Sequence, residues 1–214
     1  LLMDEVPTTS SDEDMVELAH RMGKERARRI PVVNGGTLRG IITVTDVIRA
    51  IADGAVAGDV QVGGLARHEV NTTYVETPLR VAMREISLAR VPYAVVLDSD
   101  GEMTGIITEV DIIEVAEVVE GEDDTGESIA NQDDDWMWEG IKAVGNRYLP
   151  TRNVVIPEEP VSEYMTEDTV TVSGTRTAME VAQMMLQYDI EQIPLVSGDE
   201  LSGIIRDLDL LAGL

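Results

Sequence analysis

The 214-residue chain contains no cysteine, no phenylalanine and only two lysines, Lys24 and Lys142. Without cysteine it can form neither disulfides nor thiolate metal sites, which favours an intracellular location. No apolar run approaches the roughly 20 residues that span a bilayer, and residues 1–5 lack the basic and apolar regions of a signal peptide. We therefore expect a soluble, cytoplasmic protein.

Positive charge is scarce, because 16 lysines and arginines face 41 acidic residues and the net charge is -25. Such a charge repels phosphate backbones and anionic lipid headgroups, which argues against nucleic-acid and membrane partners. Acid excess with few lysines resembles the proteins of extreme halophiles, in which a screening length of about 3 Å shields carboxylates from one another. The alternative is an acidic protein of ordinary cytosol. We favour the halophilic interpretation.

The chain repeats itself. Residues 17–46 align without a gap with residues 180–209, at a constant offset of 163. A third copy lies between them, in which Arg90-Val91-Pro92 is matched to Arg29-Ile30-Pro31 and residues 105–111 to residues 40–46. Its proline-to-aspartate distance is 19 residues against 15 in the others, which we attribute to a longer turn. Repeats of this kind bury a core only against one another, so function is to be sought between copies.

Each copy predicts the order strand, helix, strand, strand, helix, an α/β (α+β) fold. In the first copy Met15, Leu18 and Met22 recur at the spacing of a helix with one buried face. A short apolar strand with a proline at its start, a glycine turn and a second strand follow, and a helix begins near Asp46.

The pattern Ile-Pro-Val-Val, a glycine turn, then Gly-Ile-Ile-Thr-x-x-Asp and a helix resembles the cystathionine-β-synthase (CBS) motif. The resemblance implies motifs paired about a pseudo-twofold axis into a Bateman module. Such modules bind adenosyl ligands (AMP, ADP, ATP, S-adenosylmethionine or NAD(H)) in clefts between motifs and act as regulatory sensors. The whole chain resembles archaeal four-motif proteins akin to the gamma subunit of AMP-activated protein kinase.

The expected division is a CBS motif at 1–58, a second at 62–118, an acidic connector at 119–159 and a third at 160–214. Because the resemblance implies pairing, the middle and last motifs are expected to form one module. The partner of the first is expected upstream of the sequence; the alternative is pairing with the first motif of a second subunit.

The resemblance assigns ribose binding to the acid of a Thr/Ser-x-x-Asp box, since a carboxylate accepts from both ribose hydroxyls. The matching positions are Thr43 with Asp46 and Thr108 with Asp111. In the last motif Arg206 replaces the threonine before Asp209, which puts a standard site in doubt, although an arginine could favour a phosphate-rich ligand. The structural alternative is that each box only caps its helix.

The resemblance also implies an apolar slot for the base and cations for phosphate just before the proline. Plain core packing and a solvated helix end are the structural alternatives. The base candidates are Thr9, Ile30 and Pro31 in the first motif and Tyr74, Val91 and Pro92 in the middle one. The phosphate candidates are Arg28, Arg29 and Arg90.

No catalytic set is visible, and His20 and His68 stand too far apart in the sequence to suggest zinc. In the connector, Trp136 and Trp138 follow an acidic run; we interpret them as pinning this segment to the surface, with a docking segment or a cation site as alternatives.

The sequence therefore predicts a non-catalytic sensor with an adenine nucleotide as regulatory ligand, no obligatory cofactor, a homodimer and an unidentified effector protein. The alternative is a structural or oligomerisation module with vestigial clefts. A third interpretation is the regulatory fragment of an enzyme such as IMP dehydrogenase or of a transporter.

Overall fold

A computed structural model describes residues 6–120, 152–198 and 200–214. The described helices are α1 Met15–Glu25, α2 Val44–Ala52, α3 Leu79–Ala89, α4 Glu109–Val115, α5 Ala178–Tyr188 and α6 Asp207–Leu210, with 3-10 turns at Val62–Gly64, Val161–Glu163 and Leu211–Gly213. The described strands are β1 Arg29–Asn34, β2 Thr37–Thr43, β3 Thr72–Tyr74, β4 Tyr93–Leu97, β5 Met103–Thr108, β6 Glu117–Glu120, β7 Arg152–Val155, β8 Gln192–Ser197 and β9 Glu200–Arg206. None of the helices in these ranges has the length and apolar character that a membrane crossing requires.

The three motifs share one plan, as the α/β (α+β) prediction requires. The first helix of each has 11 residues and ends at a non-glycine residue in the left-handed conformation: Arg26, Arg90 or Asp189, with φ of 53, 56 and 54°. An antiparallel hairpin follows, and a short leading segment pairs in parallel with its first strand. The helices cover one face of each hairpin.

The strand register corrects the alignment of the middle motif. Tyr93 pairs with Thr108 as Arg29 pairs with Thr43, so Tyr93 is the equivalent of Arg29 and Pro92 stands at the position of Arg28. The match of Arg90-Val91-Pro92 to Arg29-Ile30-Pro31 was therefore wrong. The attribution of all four extra residues to the turn was also wrong, because the turn is longer by one residue and the other three arise from the shift of the proline. Register follows which side chains are buried, and not the position of the proline.

The last motif packs against both of its neighbours. Its helix α5 lies on α2 of the first motif, where Gln183 Nε2 donates to the Ala52 carbonyl at 2.9 Å. One continuous apolar core spans these two motifs. The hairpin of the last motif instead meets that of the middle motif, with Ile204 packed among Tyr93 and Ile106. The last motif thus uses a helix face toward the first motif and a sheet face toward the middle motif.

The segments that lead into the middle and last motifs, residues 58–67 and 156–166, are exchanged. Residues 58–67 lie along the last motif, where Arg67 and Ile204 form two backbone hydrogen bonds of 2.9 Å. Residues 156–166 lie along the middle motif, where Thr166 and Ile106 form the equivalent pair at 2.9 and 3.1 Å. We call these stretches the lead segments. Because each motif receives an antiparallel bridge at its hairpin from its partner's lead segment, neither of the two is complete alone.

Between β6 and β7 the predicted connector falls mostly on residues 121–151. These residues, including Trp136 and Trp138, lie outside the described parts of the chain, so the interpretation of the tryptophans stays a prediction.

Candidate functional site

Two threonine–aspartate boxes open the second helices of the first and middle motifs. Thr43 is the N-cap of α2, and its backbone N–H and hydroxyl donate to Asp46 Oδ2 at 2.9 and 2.8 Å. Thr108 caps α4 in the same way, with distances to Asp111 Oδ2 of 2.8 and 2.7 Å. A threonine in extended conformation three residues before an acid forms a capping box, so the local sequence alone explains this geometry.

The two boxes differ in their second carboxylate oxygen. Asp46 Oδ1 is 3.3 Å from Arg49, and the hydrogen bond from the Thr43 side chain lowers the pKa of Asp46, assisted by Arg49 and opposed by partial burial. Asp111 Oδ1 has no protein partner in the described ranges. The middle motif therefore presents an acceptor that is fixed in place and free to bind a ligand hydroxyl.

The acid of the last motif is fully engaged by protein. Asp209 is 9% exposed and accepts from Arg67 Nε at 3.0 Å and from Arg206 Nε and Nη2 at 3.0 and 3.1 Å. Burial alone would raise the pKa of Asp209, but the hydrogen bonds from the two arginines outweigh it and the pKa falls. A ribose would have to displace a guanidinium here, so this carboxylate is not available as it stands.

Tyr93 lies beside this cluster and is 1% exposed. Burial raises the pKa of its phenol, and the nearby Arg206 and Arg67 partly oppose that rise. Sequence reasoning missed both Tyr93 and Arg67. The signal for Tyr93 was a large aromatic residue at the start of the middle hairpin, but the shifted proline hid its equivalence to Arg29.

Arg28 binds the last motif. It makes a two-pronged contact with Asp207 at 3.1 and 2.6 Å and lies 2.7 Å from Glu191. Burial would lower the pKa of Arg28, but the hydrogen bonds and charges of Asp207 and Glu191 raise it. Arg29 is exposed and lines a recess of about 80 Å³ beside Thr43.

A cavity of about 280 Å³ lies where the three motifs meet. Its wall combines residues from all three, and the equivalent positions Arg28, Pro92 and Glu191 face it together. Arg206 and Asp207 also line it, so two arginines are balanced by two acids. The cavity offers no excess of positive charge.

The remaining candidates are spread over the surface and the core. Arg90 is an exposed helix C-cap and the equivalent of Arg26. Tyr74 is 48% exposed. Its neighbour Thr73 is the equivalent of Thr9, because each threonine pairs with the residue of the first hairpin strand that lies opposite the glycine of the second hairpin strand. The hydroxyl of Thr9 donates to the carboxylate of Glu13, which lies just ahead of helix α1.

The hydroxyl of Thr73 is buried without a partner among the described residues, so it is a candidate that the sequence did not reveal. Of the apolar candidates, Ile30 is fully buried, Pro31 and Val91 are half-buried and Pro92 is exposed.

Two archaeal relatives resemble the chain over nearly its whole length. An uncharacterized protein of Methanocaldococcus jannaschii is 26% identical over 214 residues, which cover 98% of this chain and 45% of that protein. An uncharacterized 33.4 kDa protein encoded in a ribosomal RNA operon of Thermofilum pendens is 23% identical over 222 residues, covering 97% of this chain and 61% of that protein. The chain thus spans about half the length of these curated relatives.

Solved structures show the same fold. An uncharacterized conserved protein of Pyrococcus horikoshii matches with a TM-score of 0.74 and 28% identity, over 100% of this chain and 80% of that one. A Methanocaldococcus jannaschii protein proposed as an archaeal homolog of g-AMPK matches with a TM-score of 0.67 and 22% identity, over 98% and 67%. CBSX2, solved in complex with AMP, matches with a TM-score of 0.50 and 15% identity, over 72% and 94%.

The family described as CBS domain matches three separate stretches, residues 1–53, 62–117 and 161–214. These coincide with the three repeats and with the helices and hairpins that surround the capping boxes. CBS domains are commonly regulatory ligand-binding modules. The chain belongs to the CBS-domain family.

Proposed function

We propose that the chain is a non-catalytic sensor that binds an adenine nucleotide or related adenosyl ligand at the middle motif, with Asp111 as the ribose acceptor. The observation that carries this proposal is Asp111 Oδ1, which has no protein partner among the described residues and is held in position because Oδ2 receives both bonds from Thr108. The acid of the last motif is sealed by Arg67 and Arg206, and that of the first is partly occupied by Arg49.

The charges around the meeting point of the motifs favour a ligand with few phosphates. Arg28 and Arg206 are each committed to carboxylates, and the cavity they line carries two acids as well. A triphosphate would need unpaired cations that this cavity lacks. A ligand that reached this cavity would therefore be AMP or S-adenosylmethionine rather than ATP, although Asp111 itself does not line the cavity.

The likeness to CBSX2, which was crystallised with AMP, supports an adenine nucleotide as the ligand class. The proposed g-AMPK relationship of the Methanocaldococcus protein supports a sensing role. A sensor also needs an output, and ligand-dependent movement of one motif against another would change the fit to an effector protein or a second subunit. The sequence-based homodimer and effector are part of this proposal.

The test is calorimetric titration of nucleotide-free protein in molar potassium chloride with AMP, ATP, NADH and S-adenosylmethionine. Replacing Asp111 by Asn should weaken binding about 10- to 100-fold, because a charge-assisted hydrogen bond to the ribose is lost. Glu114→Gln, an exposed neutralisation on the same helix, is the matched control and should leave the affinity unchanged. Equal affinities of Asp111→Asn and the parent protein would contradict the assignment.

The closed acid of the last motif favours one second candidate, a structural assembly module whose clefts no longer bind ligand. In that case none of the four ligands would give heat with folded protein. Binding that survives in Asp111→Asn but is lost in Asp46→Asn would instead keep the sensor and move its site to the first motif.

A further inference from the structure

The buried side-chain polar atoms that lack a partner among the described residues all lie at one position of the motif. They are Arg21 Nε in the first motif and Thr73 Oγ1 and Glu85 Oε2 in the middle motif. Arg21 and Glu85 are equivalent, because α1 and α3 both run for 11 residues between matching caps. Thr73 is the equivalent of Thr9 in strand pairing. The unpaired atoms therefore mark one place in two motifs, between the leading strand and the first helix.

The first motif fills this place with an ion pair. Glu13 Oε2 accepts from the hydroxyl of Thr9 and from Arg21 Nη2, the latter at 2.8 Å. The side chains of Thr9 and Arg21 thus converge on a single carboxylate oxygen. Thr9 is 5% exposed, and a charge beside such a buried hydroxyl needs a partner of opposite sign. Here the chain itself supplies the cation.

The last motif fills the same place with apolar side chains. Val172 and Met184 are the equivalents of Thr9 and Arg21 at the constant offset between these two motifs. Val172 is 4% exposed and belongs to the core shared by the first and last motifs, and Met184 packs against that core. Neither side chain has a charge that needs a partner.

The middle motif presents oxygen atoms at this place without a cation. Glu85 stands where the first motif has Arg21, and Thr77 stands where it has Glu13. Thr73 is 6% exposed. None of the ion pairs among the described residues includes Glu85. Because a buried carboxylate oxygen without a donor or a cation is unfavourable, this place calls for a positively charged partner.

We propose that the middle motif binds a monovalent alkali cation, potassium or sodium, between Thr73 Oγ1 and Glu85 Oε2. The hydroxyl of Thr77 and water complete its shell. Oxygen ligands suit hard cations, and the single carboxylate balances one positive charge, whereas calcium sites usually use several carboxylates. No cluster of three or more acidic, histidine or cysteine side chains able to hold a metal occurs in the described ranges. The ion does in the middle motif what the guanidinium of Arg21 does in the first.

The ion would also support the contact between the middle and last motifs. The turn from β3 to α3 carries Thr77, and the carbonyls of Val75 and Thr77 accept from Ser162 and Val161 of the lead segment at 3.2 and 2.9 Å. A cation held between β3 and α3 fixes this turn from inside the motif. Its effect depends on which cation is present, whereas the screening of surface carboxylates depends only on ionic strength.

Thermal unfolding in molar potassium, sodium and tetramethylammonium chloride tests the proposal, because the three solutions screen charge equally. Tetramethylammonium is too large to enter the site. The folding equilibrium constant should be about tenfold larger in the alkali salt that fits than in the tetramethylammonium salt, as expected for a dissociation constant of about 0.1 M. The salt with the larger effect identifies the ion, and equal stability in all three salts would overturn the proposal.

The chain itself offers the variants. Thr73→Val with Glu85→Met installs the apolar pair of the last motif, and Thr77→Glu with Glu85→Arg installs the ion pair of the first. Each double variant should abolish the difference between the salts. Glu114→Gln removes a carboxylate from an exposed position on α4 and should retain the difference. A cation preference that persists in both double variants would place its origin elsewhere and refute the site.

Crystals of the parent protein grown in rubidium chloride give a readout that needs no variant. An anomalous scattering peak is expected between Thr73 and Glu85. Ordered density without a peak there would mean that water alone serves these oxygen atoms, and the proposal would be wrong. Neither experiment uses a nucleotide, so both are independent of the sensor proposal.

Discussion

Gly203 and Arg67 approach so closely that a β-carbon on the glycine would stand 2.8 Å from the arginine's carbonyl oxygen. Two backbone hydrogen bonds between Arg67 and Ile204, the residue after this glycine, fix the approach. The middle and last motifs are thus joined by exchanged backbone as well as by side chains.

Replacing Gly203 or Gly105 by Ala should lower the free energy of unfolding by about 1 to 3 kcal/mol, because the lead segment must move to admit the methyl group. Gly40→Ala is the matched control and should change it by less than about 0.5 kcal/mol in residues 1–214. Urea unfolding followed by circular dichroism gives the comparison. Equal losses of unfolding free energy at all three glycines would mean that close approach of a lead segment does not explain why Gly105 and Gly203 are glycines.

Asp209→Asn should lower the free energy of unfolding by about 1 to 3 kcal/mol at pH 7, because two arginines lose a charged acceptor. Since folding lowers the pKa of Asp209 below its ordinary value of 3.8, its contribution is complete above that pH and is lost as the pH falls through the folded-state pKa. The variant should therefore lose less stability than the parent below pH 4. Unfolding curves across this range test the slope, with Glu114→Gln as control; parallel curves for Asp209→Asn and the parent would contradict it.

Arg28→Leu should destabilise the contact between the first and last motifs, because it leaves Asp207, which is 5% exposed, without its two-pronged partner. A loss of about 1.5 to 3 kcal/mol is expected for hydrogen bonds to a charged group. Arg29→Leu removes the same charge from an exposed position and should cost less than about 0.5 kcal/mol. Thermal unfolding compares the pair, and similar midpoints would show that Arg28 does not hold the motifs together.

The closed acid of the last motif should be convertible into a binding site. Thr108 and Thr166 stand where Arg206 and Arg67 stand in the last motif, so the double variant Arg67→Thr, Arg206→Thr gives Asp209 neutral neighbours. If the middle motif of the parent binds one nucleotide, the variant should bind an additional one by calorimetry. A folded variant with unchanged stoichiometry would mean that more than the arginines closes this cleft.

Potassium chloride should stabilise the protein. With a net charge of -25, carboxylate repulsion weakens as the screening length falls from about 10 Å at 0.1 M to about 3 Å at 1 M salt. The thermal midpoint should rise across this range and should not rise with sucrose at equal osmolality if charge screening is the cause. A midpoint indifferent to potassium chloride would remove the halophilic interpretation.

Much of the fold could be predicted because each motif is encoded locally. The helix face of Met15, Leu18 and Met22 and the capping boxes at Thr43 and Thr108 depend on residues a few positions apart. Such local patterns can be recognised without knowing which other parts of the chain pack against them.

The middle hairpin could not be placed in the same way. Its proline lies three positions earlier relative to the strand than in the other motifs, whereas the buried run that begins at Tyr93 keeps the register of the hairpin. The equivalence of Tyr93 to Arg29 therefore could not be read from the proline. The shared letters Arg-x-Pro were a weaker guide than the pattern of burial.

The ion pairs that protein side chains form within the candidate site could also not be predicted from the sequence. Arg28 is 179 positions from Asp207, and Arg67 is 142 positions from Asp209. Whether an arginine faces a ligand or an acid depends on which motif lies opposite, and that is decided by the assembly of the repeats.

The exchanged lead segments have a consequence for synthesis. Residues 58–67 leave the ribosome well before the β9 strand on which they settle, so the middle motif must wait with its edge at Ile106 unpaired until residues 156–166 arrive. Contacts at such sequence separations form slowly. In the meantime an unpaired sheet edge can pair with another nascent chain and lead to aggregation. The strong negative charge makes neighbouring nascent chains repel one another and would oppose aggregation during this interval. The acidity of the chain would therefore protect it during synthesis as well as after folding.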